Sequence, residues 1–460
     1  MARIKAELLS GARLADFLTV GFLALNCPLE KVRQALVSHG VESKRRRGLP
    51  HEVLVYFVMA MVLYANVAYE EVLRLVIEGL RPLLGDEGIS KATVTKGAIS
   101  QARGLVGVAP LRQLYREQVR PNGPQGMPGV WYGGLRVMAI DGSTLDMPDE
   151  SANATAFGYP AASRGSSAFP QLRFVAMAEC GTHTLCYANH GPYATSEIAL
   201  SEQVIDQADA TMLITADRNF YGHAIWQRSV ATGATLLFRV KRNLRLPREN
   251  NLADGSYLST VYASDKDRRH QRNGTVVRVI EYALDGIPDP EPSYRLITNW
   301  LDIQIAPAAE LAALYHRRWT IEQTFDEFKV HLADRDVILR SKRPELVEQE
   351  FYALLIAHAA VRRLMTQAAA ATCQAAEDLS FIHAVRVLKR RLPASAAIPP
   401  EQRQSWMDSV LTEIAAGRAV TSRGKRNPRG VKRKMSKFNL RKRGDPINQP
   451  CDPTPRMIYI

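Results

Sequence analysis

A short segment near residue 320 carries four polar side chains at a spacing that suits chemistry on one side of a helix. They are Tyr315, Arg318, Glu322 and Lys329, within LYHRRWTIEQTFDEFK. At about 100° per residue, all four fall within an arc of about 60°. The apolar residues of the segment cluster directly beside this arc, so the polar stripe borders the buried face. That arrangement is typical of a helix that lines a cleft.

The main alternative for this segment is a solvated helix surface. Arg318 and Glu322 are four residues apart, and pairs at this spacing often form exposed ion pairs with no further role. The segment alone leaves both interpretations open, so the rest of the chain has to decide between them.

Two further acidic residues end apolar strand patterns. LRVMAID ends at Asp141, before a predicted Gly-Ser-Thr turn, and TMLITAD ends at Asp217. Acids at strand ends lie at the sheet edge where open α/β folds form their sites. Three converging carboxylates, with Glu322 as the third, repel one another and require a cation, for which Mg²⁺ or Mn²⁺ is suited. Two such ions support phosphoryl transfer, and Arg318 and Lys329 could bind phosphate oxygens.

Other acids compete for these roles. Asp146 and Asp149 follow Asp141 closely and are more typical of turn caps, although either could replace Asp141 as a ligand. Asp326 lies near the polar stripe and could support the site without binding metal itself. The histidines have no metal-ligand spacing, and no GxSxG motif accompanies Ser143.

The elements that would position these residues change in type along the chain. Residues 1–120 have helical periodicity, including one long apolar helix over 51–80 and two short helical pieces around Lys96-Gly97. The two pieces are a weak indication of a helix-turn-helix. Residues 135–241 predict the order β-β-β-α-β-α-β, a mixed α/β architecture. Residues 243–305 predict strands without helices, and a helix over 307–333 carries Glu322.

The C-terminal residues are strongly basic. Residues 421–460 hold twelve Lys or Arg and two Asp, a net charge of +10 out of +14 for the whole chain. Such a segment cannot form a core, so a flexible tail that binds a polyanion is expected. Its densest basic residues are Lys432, Arg433, Lys434, Arg441, Lys442 and Arg443.

Composition narrows the class of protein. With 46% hydrophobic and 23% charged residues, the chain is typical of soluble globular proteins. The five cysteines are scattered without CxxC spacing, which indicates a reducing cytoplasm. No signal peptide or membrane span is predicted, and the apolar run from Val53 to Tyr69 is interpreted as a buried helix.

The motifs together resemble the IS4-type DDE transposases of bacterial insertion sequences. The helix signature of that family, Y-(2)-R-(3)-E-(6)-K, is matched by the four residues of the polar stripe. Its first acid is matched by Asp141 in IDGSTLDMPD, and its second by Asp217 in ADRNFYG, where Arg218 follows. Further similarity in FGYPAASRGSSAFPQLRFV and VILRSKRPELVEQEFYALLIAHAAVRRLM extends the resemblance over residues 10–375.

The resemblance implies a fold and a division of the chain. The fold would be α/β, a ribonuclease H-like mixed-sheet core with a β-strand insertion, preceded by an all-helical N-terminal domain. The implied parts are a helical DNA-binding domain (1–120), a linker (121–134), the first part of the core (135–242), the β insertion (243–305), the second part of the core (306–375), a helical C-terminal segment (376–420) and the basic flexible tail (421–460).

The resemblance also implies an activity. Asp141, Asp217 and Glu322 would hold Mg²⁺, or Mn²⁺ as a substitute, and catalyse hydrolysis at the ends of the element. The freed 3′-hydroxyl ends would then join target DNA, with a DNA hairpin as an intermediate. The partners would be double-stranded DNA, at element ends and target, and a second copy of the chain on that DNA, in the bacterial cytoplasm at the nucleoid. The residues expected to bind DNA are Tyr315, Arg318, Lys329, Arg218 and the six basic residues of the tail.

Two alternatives to a transposase stay open at this point. A metal-dependent DNA nuclease of the same fold would cut DNA without joining it. A DNA-binding regulator without chemistry would need no metal site, which the complete set of three acids argues against.

Overall fold

The structure, a computed structural model, describes most of the chain. The described residues are 23–24, 26–43, 49–65, 67–84, 94–162, 165–166, 169–285, 293–332, 337–391, 402–419 and 454–457. Within these ranges, no helix has both the length and the apolar character that crossing a membrane requires.

Helices form the N-terminal part of the described chain, as predicted. They are α1 (Leu29–Ser38), α2 (His51–Leu63), α3 (Tyr69–Leu84), α4 (Lys96–Val106) and α5 (Ala109–Gln118). The single helix predicted over 51–80 is wrong, because the chain turns after α2 and restarts as α3. Of the two short helical pieces predicted around Lys96-Gly97, the first falls largely on residues 85–93, outside the described residues, and the second is α4. Thr95 caps α4 there by accepting a hydrogen bond from the backbone N–H of Ala98 at 3.3 Å, so a helix begins at this point.

The middle of the chain forms strands with four intervening helices. The strands are β1 (Trp131–Tyr132), β2 (Leu135–Asp146), β3 (Ala161–Ala162), β4 (Gly165–Ser166), β5 (Gln171–Glu179), β6 (Thr184–Pro192), β7 (Met212–Ala216), β8 (Thr235–Arg239), β9 (Asn250–Asn251), β10 (Tyr257–Val261), β11 (Thr275–Asp285) and β12 (Tyr294–Thr298). The helices are α6 (Ser151–Phe157), α7 (Glu197–Ile205), α8 (His223–Ala231) and α9 (Asp265–Arg269). The seven predicted elements are present in the predicted order as β2, β5, β6, α7, β7, α8 and β8, but the short elements α6, β3 and β4, which were not predicted, lie between β2 and β5.

Most of these strands belong to one mixed sheet. Among the described residues its order is β6-β5-β2-β7-β8-β12-β11-β10-β9, with β1 beside β2. β2 pairs with β7, and β7 with β8, in parallel, while the other pairs are antiparallel. The β insertion therefore continues the core sheet through β12 and β8. It also contains the short helix α9, which the sequence did not predict.

The helix predicted over 307–333 is present but irregular. It consists of α10 (Ala308–Tyr315), a 3₁₀ turn (His316–Trp319), α11 (Thr320–Asp326) and a π-helical turn (Glu327–His331). A 3₁₀ turn rotates more per residue than an α-helix and a π turn rotates less, so the positions of a regular helical wheel do not apply along its whole length.

Among the residues described after this helix there are three more α-helices, namely α12 (Pro344–Ala371), α13 (Phe381–Arg391) and α14 (Arg403–Ala416). α12 packs against α2, α4, α5 and the strand β6, and so joins the N-terminal helices to the sheet. Arg103 of α4 is 1% exposed and donates to Gln349 Oε1 at 3.1 Å and to the carbonyl of Leu346 at 3.0 Å. A buried arginine with several acceptors orients the two parts specifically.

Alternate residues of β2 face different cores. Val137 and Ala139 pack into the core that contains α10 to α12, whereas Met138 and Ile140 pack with α7 and α8 on the other face. This alternation follows from the two-residue period of a strand. Asp141 therefore points toward the helix that carries Glu322, and Gly142 points toward α7.

The predicted flexible tail requires one correction at its end. Thr454–Met457 forms a strand, β13, antiparallel to β11 at the sheet. Residues 421–453 lie outside the described residues, and so do the six basic residues predicted to bind DNA there.

Candidate active site

Strand register places Asp141 and Asp217 side by side. Ile140 of β2 lies opposite Ala216 of β7 in a parallel pair, so the next residue of each strand lies at the same sheet edge. Asp141 does not end its strand, and the predicted Gly-Ser-Thr turn is wrong, because β2 continues to Asp146 in pairing with β5. β7 does end at Ala216, so among the described residues β2 has no partner strand on that side from Asp141 onward, and the two carboxylates lie where the pairing stops.

The backbone that follows each acid helps to orient its carboxylate. The N–H of Gly142 donates to Asp141 Oδ1 at 2.8 Å, and the N–H of Arg218 donates to Asp217 Oδ1 at 2.5 Å. Each carboxylate is thus held by one local hydrogen bond, which leaves further lone pairs available for a ligand.

Arg318 links the end of the sheet at Asp141 to the helix that carries Glu322. Its Nη1 donates to Asp141 Oδ2 at 3.1 Å, and its Nη2 lies 3.7 Å from Glu322 Oε1. The Arg318 side chain is 5% exposed, whereas that of Glu322 is 52% exposed. The solvated-surface interpretation of the Arg318–Glu322 pair is therefore wrong, because the guanidinium is buried between two of the predicted catalytic acids.

Electrostatics at this edge favour a bound cation. Burial raises the pKa of Asp141, and Asp217 adds to this effect while Arg318 opposes it. Burial also raises the pKa of Glu322, which Arg318 opposes and the charges of Asp141 and Asp217 reinforce. A positive ion beside the Asp141 and Glu322 carboxylates would stabilise their charged forms.

The two remaining residues of the stripe hold the helix against the strands. Tyr315 is 2% exposed, and its hydroxyl donates to the carbonyl of Ala216 at 3.4 Å, directly before Asp217. Lys329 Nζ donates to Ser143 Oγ at 3.2 Å. In this arrangement Tyr315 contacts protein at the strand end and offers no group to the surface, so its prediction as a DNA contact gains no support from the geometry.

A cleft of about 680 Å³ opens along this edge. Asp141 and Glu322 lie on its wall, with Lys329 further along the same helix. Its other lining residues are Gly142, Ser143, Thr144, Leu145, Asp146, Gln171, Phe325, Asp326, Val330, Val337 and Ile338. The cleft thus combines acids, a lysine and apolar walls beside an opening in the sheet.

The competing acids have other partners. Asp146 accepts a hydrogen bond from Gln171 Nε2 at 2.6 Å, and Asp149 accepts one from the Tyr159 hydroxyl at 2.5 Å. Asp326 is exposed and lies 3.0 Å from His331 Nε2. These contacts give each of them a local side-chain partner, although Asp146 and Asp326 line the same cleft as Asp141.

The possible metal ligands among the described residues are not grouped closely enough to enclose an ion. Among them, no three His, Cys, Asp or Glu side chains are already grouped so that they could hold one ion. The position between Asp141 and Glu322 is taken by the guanidinium of Arg318. The donors themselves fit Mg²⁺ or Mn²⁺, because all are carboxylate oxygens.

A buried charge cluster, which the sequence did not reveal, supports the π-helical turn. Glu327 at the start of this turn accepts from Arg362 Nε at 2.9 Å and lies 3.4 Å from His183 Nδ1. The pKa of Glu327 is held well below its usual range by Arg362 and His183, which outweigh the opposing effect of burial. The cluster ties the helix that carries Glu322 and Lys329 to α12.

One further acid near the site was also missed. Glu197 begins α7, and its carboxylate lies directly against the backbone of Gly142. No strand-end pattern or helix signature marks it, since it lies in an ordinary helix start, ATSEIALSEQ.

Two family models match this chain. Residues 18–116 match the family described as insertion element 4 transposase N-terminal, and residues 132–359 match the family described as transposase DDE domain. Asp141, Asp217 and Glu322 all lie in the second match. The two matches together span more than half of the chain.

Relatives with curated names were found in Escherichia coli K12. The chain is 25% identical over 420 residues to the transposase InsG for insertion sequence element IS4. This alignment covers 89% of the present chain and 91% of InsG. It is 27% identical over 200 residues to the putative transposase InsZ, covering 43% and 63%. Among solved structures, the piggyBac transposase synaptic complex with hairpin DNA aligns with a TM-score of 0.42 and 11% identity, covering 86% of this chain and 85% of that one.

Proposed function

This chain belongs to the IS4-type DDE transposases, and we propose that it cuts DNA at the two ends of its own element and joins the freed 3′-hydroxyl ends to target DNA. The observation that carries this proposal is the placement of Asp141, Asp217 and Glu322 at one edge of a ribonuclease H-like sheet, near enough for each charge to act on the others. Arg318 supports it by joining Asp141 to Glu322 across that edge.

A DDE transposase uses a divalent metal cofactor. We propose that the cofactor here is Mg²⁺, with Mn²⁺ as a substitute, held by Asp141, Asp217 and Glu322. When bound, such ions make an attacking water more acidic and offset the charge that develops on the leaving oxygen. Arg318 would then release one or both carboxylates and turn its planar guanidinium toward phosphate oxygens of the DNA.

The overall reaction consists of the hydrolysis and the exchange of phosphodiester bonds. In the first, a water oxygen attacks phosphorus at the element end, the P–O3′ bond breaks, and the 3′ oxygen takes up a proton. In the second, that 3′-hydroxyl attacks a phosphorus of the opposite strand, so one P–O bond forms as another breaks and the element is released with hairpin ends. A second water then opens each hairpin and restores the 3′-hydroxyl, which attacks a target phosphorus as another P–O bond breaks there. The number of phosphodiester bonds is unchanged in the second step, so no covalent link between protein and DNA is needed.

The cleft offers positions for the DNA backbone. Lys329 lies in the cleft wall with its ammonium beside Ser143, and Arg218 is exposed directly after Asp217. Both residues border the acids, so they would hold phosphates next to the scissile bond. Bringing two element ends together also requires at least two active sites, so we propose a dimer on DNA. Its mass with bound end DNA, measured by light scattering, tests this.

The proposed reaction can be tested with the purified full chain. A supercoiled plasmid would carry the DNA that flanks the coding region on both sides, with Mg²⁺ and a separate target plasmid. We expect an excised fragment and products joined to the target, both abolished by a chelator. Cutting without joined products would instead indicate that the protein is a metal-dependent DNA nuclease of the same fold. Retention of the DNA without any cutting would indicate the regulator.

The basic tail is proposed to bind DNA without sequence preference. Replacing the six residues Lys432, Arg433, Lys434, Arg441, Lys442 and Arg443 by Gln keeps the strand β13 in place and removes charge only. We expect weaker binding to all sequences and a salt dependence whose log–log slope falls by roughly 0.9 for each charge that contacts phosphate. Fluorescence anisotropy at several salt concentrations measures the slope.

A matched control tests whether this effect is local to the tail. Lys266 and Arg269 are exposed basic residues of α9, and replacing both by Gln should leave the slope unchanged. A tail variant with the slope of the unmodified protein would show that the tail does not contact DNA.

A further inference from the structure

The helix that lines the cleft departs from α-helical geometry at the π-helical turn Glu327–His331. The carbonyl of Glu327 accepts a hydrogen bond from the N–H of Leu332 at 3.0 Å, five residues along the chain. Such a turn contains one residue more than a turn of α-helix, and π-helix is rare in proteins. A contact from outside the helix is therefore expected to hold the turn in this form.

The side chain of Glu327 supplies such a contact. Its carboxylate accepts hydrogen bonds from two nitrogens of Arg362, from Nε at 2.9 Å and from Nη2. A two-point contact of this kind fixes the orientation of a carboxylate. Arg362 is 1% exposed and belongs to α12, and His358, one turn earlier on α12, has its Nε2 3.7 Å from Glu327 Oε2. The first residue of the π turn is thus fixed to a long buried helix.

The π turn determines where the side chain of Lys329 points. Lys329 is the third of its five residues, and Nζ donates to Oγ of Ser143, two residues after Asp141 on β2. An α-helix advances about 100° per residue, so loss of the extra residue would turn this side chain by up to about 100° relative to Glu322. Glu322 would keep its place, since it precedes the turn and lies beside the buried Arg318.

We propose that Glu327 is a positioning residue for DNA: through Arg362 it fixes the π turn, and the turn directs the Lys329 ammonium to a phosphate of the bound strand beside Asp141. This inference rests on the proposed function, because Lys329 is proposed there to bind the DNA backbone. Glu327 is itself 13% exposed, and its carboxylate is occupied by Arg362. Its contribution therefore passes through Lys329 and not through a contact of its own with DNA or metal.

A double-mutant cycle tests this inference. Its members are the unmodified full chain, Glu327→Gln, Lys329→Ala and the double variant. Fluorescence anisotropy with a chelator present measures binding of labelled end DNA, and single-turnover assays with Mg²⁺ measure cleavage. We expect Lys329→Ala to reduce both about fivefold in the unmodified background, because one phosphate contact is lost. In the Glu327→Gln background its effect should fall below about twofold, because the ammonium is already misplaced there.

The matched control is Glu350→Gln, which removes another buried charge from α12. Glu350 is 3% exposed and lies 3.8 Å from Nη2 of the buried Arg103. It is twelve residues from Arg362, about 18 Å along the helix, so its loss should leave the π turn unchanged. Lys329→Ala should therefore keep its full effect in this background. If Glu327 had only a structural role, Lys329→Ala would keep its full effect in the Glu327→Gln background too.

Arg362→Lys provides the same test in a protein that keeps both buried charges. Lysine has one ammonium group and cannot hold the Glu327 carboxylate at two points. Lys329→Ala should therefore again have an effect below about twofold in the Arg362→Lys background. Circular dichroism and thermal unfolding confirm that each variant is folded, and Arg362→Lys decides the question if Glu327→Gln does not fold.

The outcomes separate this inference from the proposed function. A folded Glu327→Gln or Arg362→Lys protein in which Lys329→Ala keeps its full effect overturns the inference, even if the unmodified protein cuts and joins DNA. An unmodified protein whose DNA binding and cleavage do not respond to Lys329→Ala overturns it as well. If the coupling is present in DNA binding but the unmodified protein never cuts end DNA, the proposed function fails and the inference stands.

Discussion

Replacing Asp141 by Asn is expected to lower the rate of end cleavage by about a thousandfold or more. Asparagine keeps the shape of the side chain but removes the negative charge that holds a divalent cation. Metal ions contribute several kcal/mol to such reactions, and each 1.36 kcal/mol is a factor of ten in rate. Asp217→Asn and Glu322→Gln should have similar effects, since all three carboxylates are proposed to hold the same ions. Binding of end DNA should change little.

Single-turnover cleavage of labelled end DNA measures this effect, and gel retardation measures binding. Asp146→Asn is the matched control, because Asp146 lines the same cleft but accepts a hydrogen bond from Gln171. It should cleave at close to the normal rate. The double variant Asp141→Asn/Glu322→Gln should be hardly slower than either single variant, because residues that act as a unit are not additive. Near-normal cleavage by any one of the three would remove that residue from the set of ligands.

Replacing Arg318 by Lys is expected to slow cleavage about 10- to 100-fold, although the charge is kept. The guanidinium contacts Asp141 through one nitrogen and approaches Glu322 through another, with 5% of the side chain exposed. A lysine ammonium is a point charge and cannot hold both carboxylates in this geometry, nor can it bind phosphate in a bidentate manner. Partners of metal ligands typically contribute effects of this size.

The control for Arg318 is its neighbour in the chain. Arg317 lies in the same 3₁₀ turn but is exposed, so Arg317→Lys should leave cleavage unchanged. Thermal unfolding separates a loss of positioning from a loss of folding, because Arg318→Lys should keep most of its stability. A folded Arg318→Lys variant that cleaves at the normal rate would show that the guanidinium of Arg318 contributes nothing to the reaction beyond its positive charge.

The sequence was sufficient to predict the elements that carry the acids. The strands that hold Asp141 and Asp217 are short apolar runs, and a helix with a polar stripe holds Glu322. Hydrophobic patterns with periods of 2 and 3.6 residues can be recognised within a short window of sequence, so they predict strands and helices without knowledge of the fold. The mixed α/β core was predictable for the same reason, since the order of strands and helices restricts how a sheet can form.

Local patterns were insufficient where backbone geometry departs from a regular element. The turn predicted after Asp141 is a continuing strand because β5 pairs with it up to Asp146, and pairing partners are not visible in the sequence of β2. The helix that carries Glu322 contains a 3₁₀ turn and a π turn, which a wheel of 100° per residue does not describe. Nor does such a wheel show how deeply a residue is buried: Tyr315, predicted to bind DNA, is 2% exposed with its hydroxyl against the carbonyl of Ala216.

By itself, then, the sequence determined the types of element, the three acids and the family signature, because each of these is a property of residues close together in the chain. Only the tertiary structure decided which charges meet. It buried Arg318 between Asp141 and Glu322, joined Glu327 to Arg362, and brought Glu197 against Gly142. These contacts join residues that are distant in the chain, apart from the Arg318–Glu322 pair, so they depend on sheet register and on the packing of helices across both faces. Register and packing are set by the burial of apolar surface over the whole fold, and no short stretch of sequence contains that information.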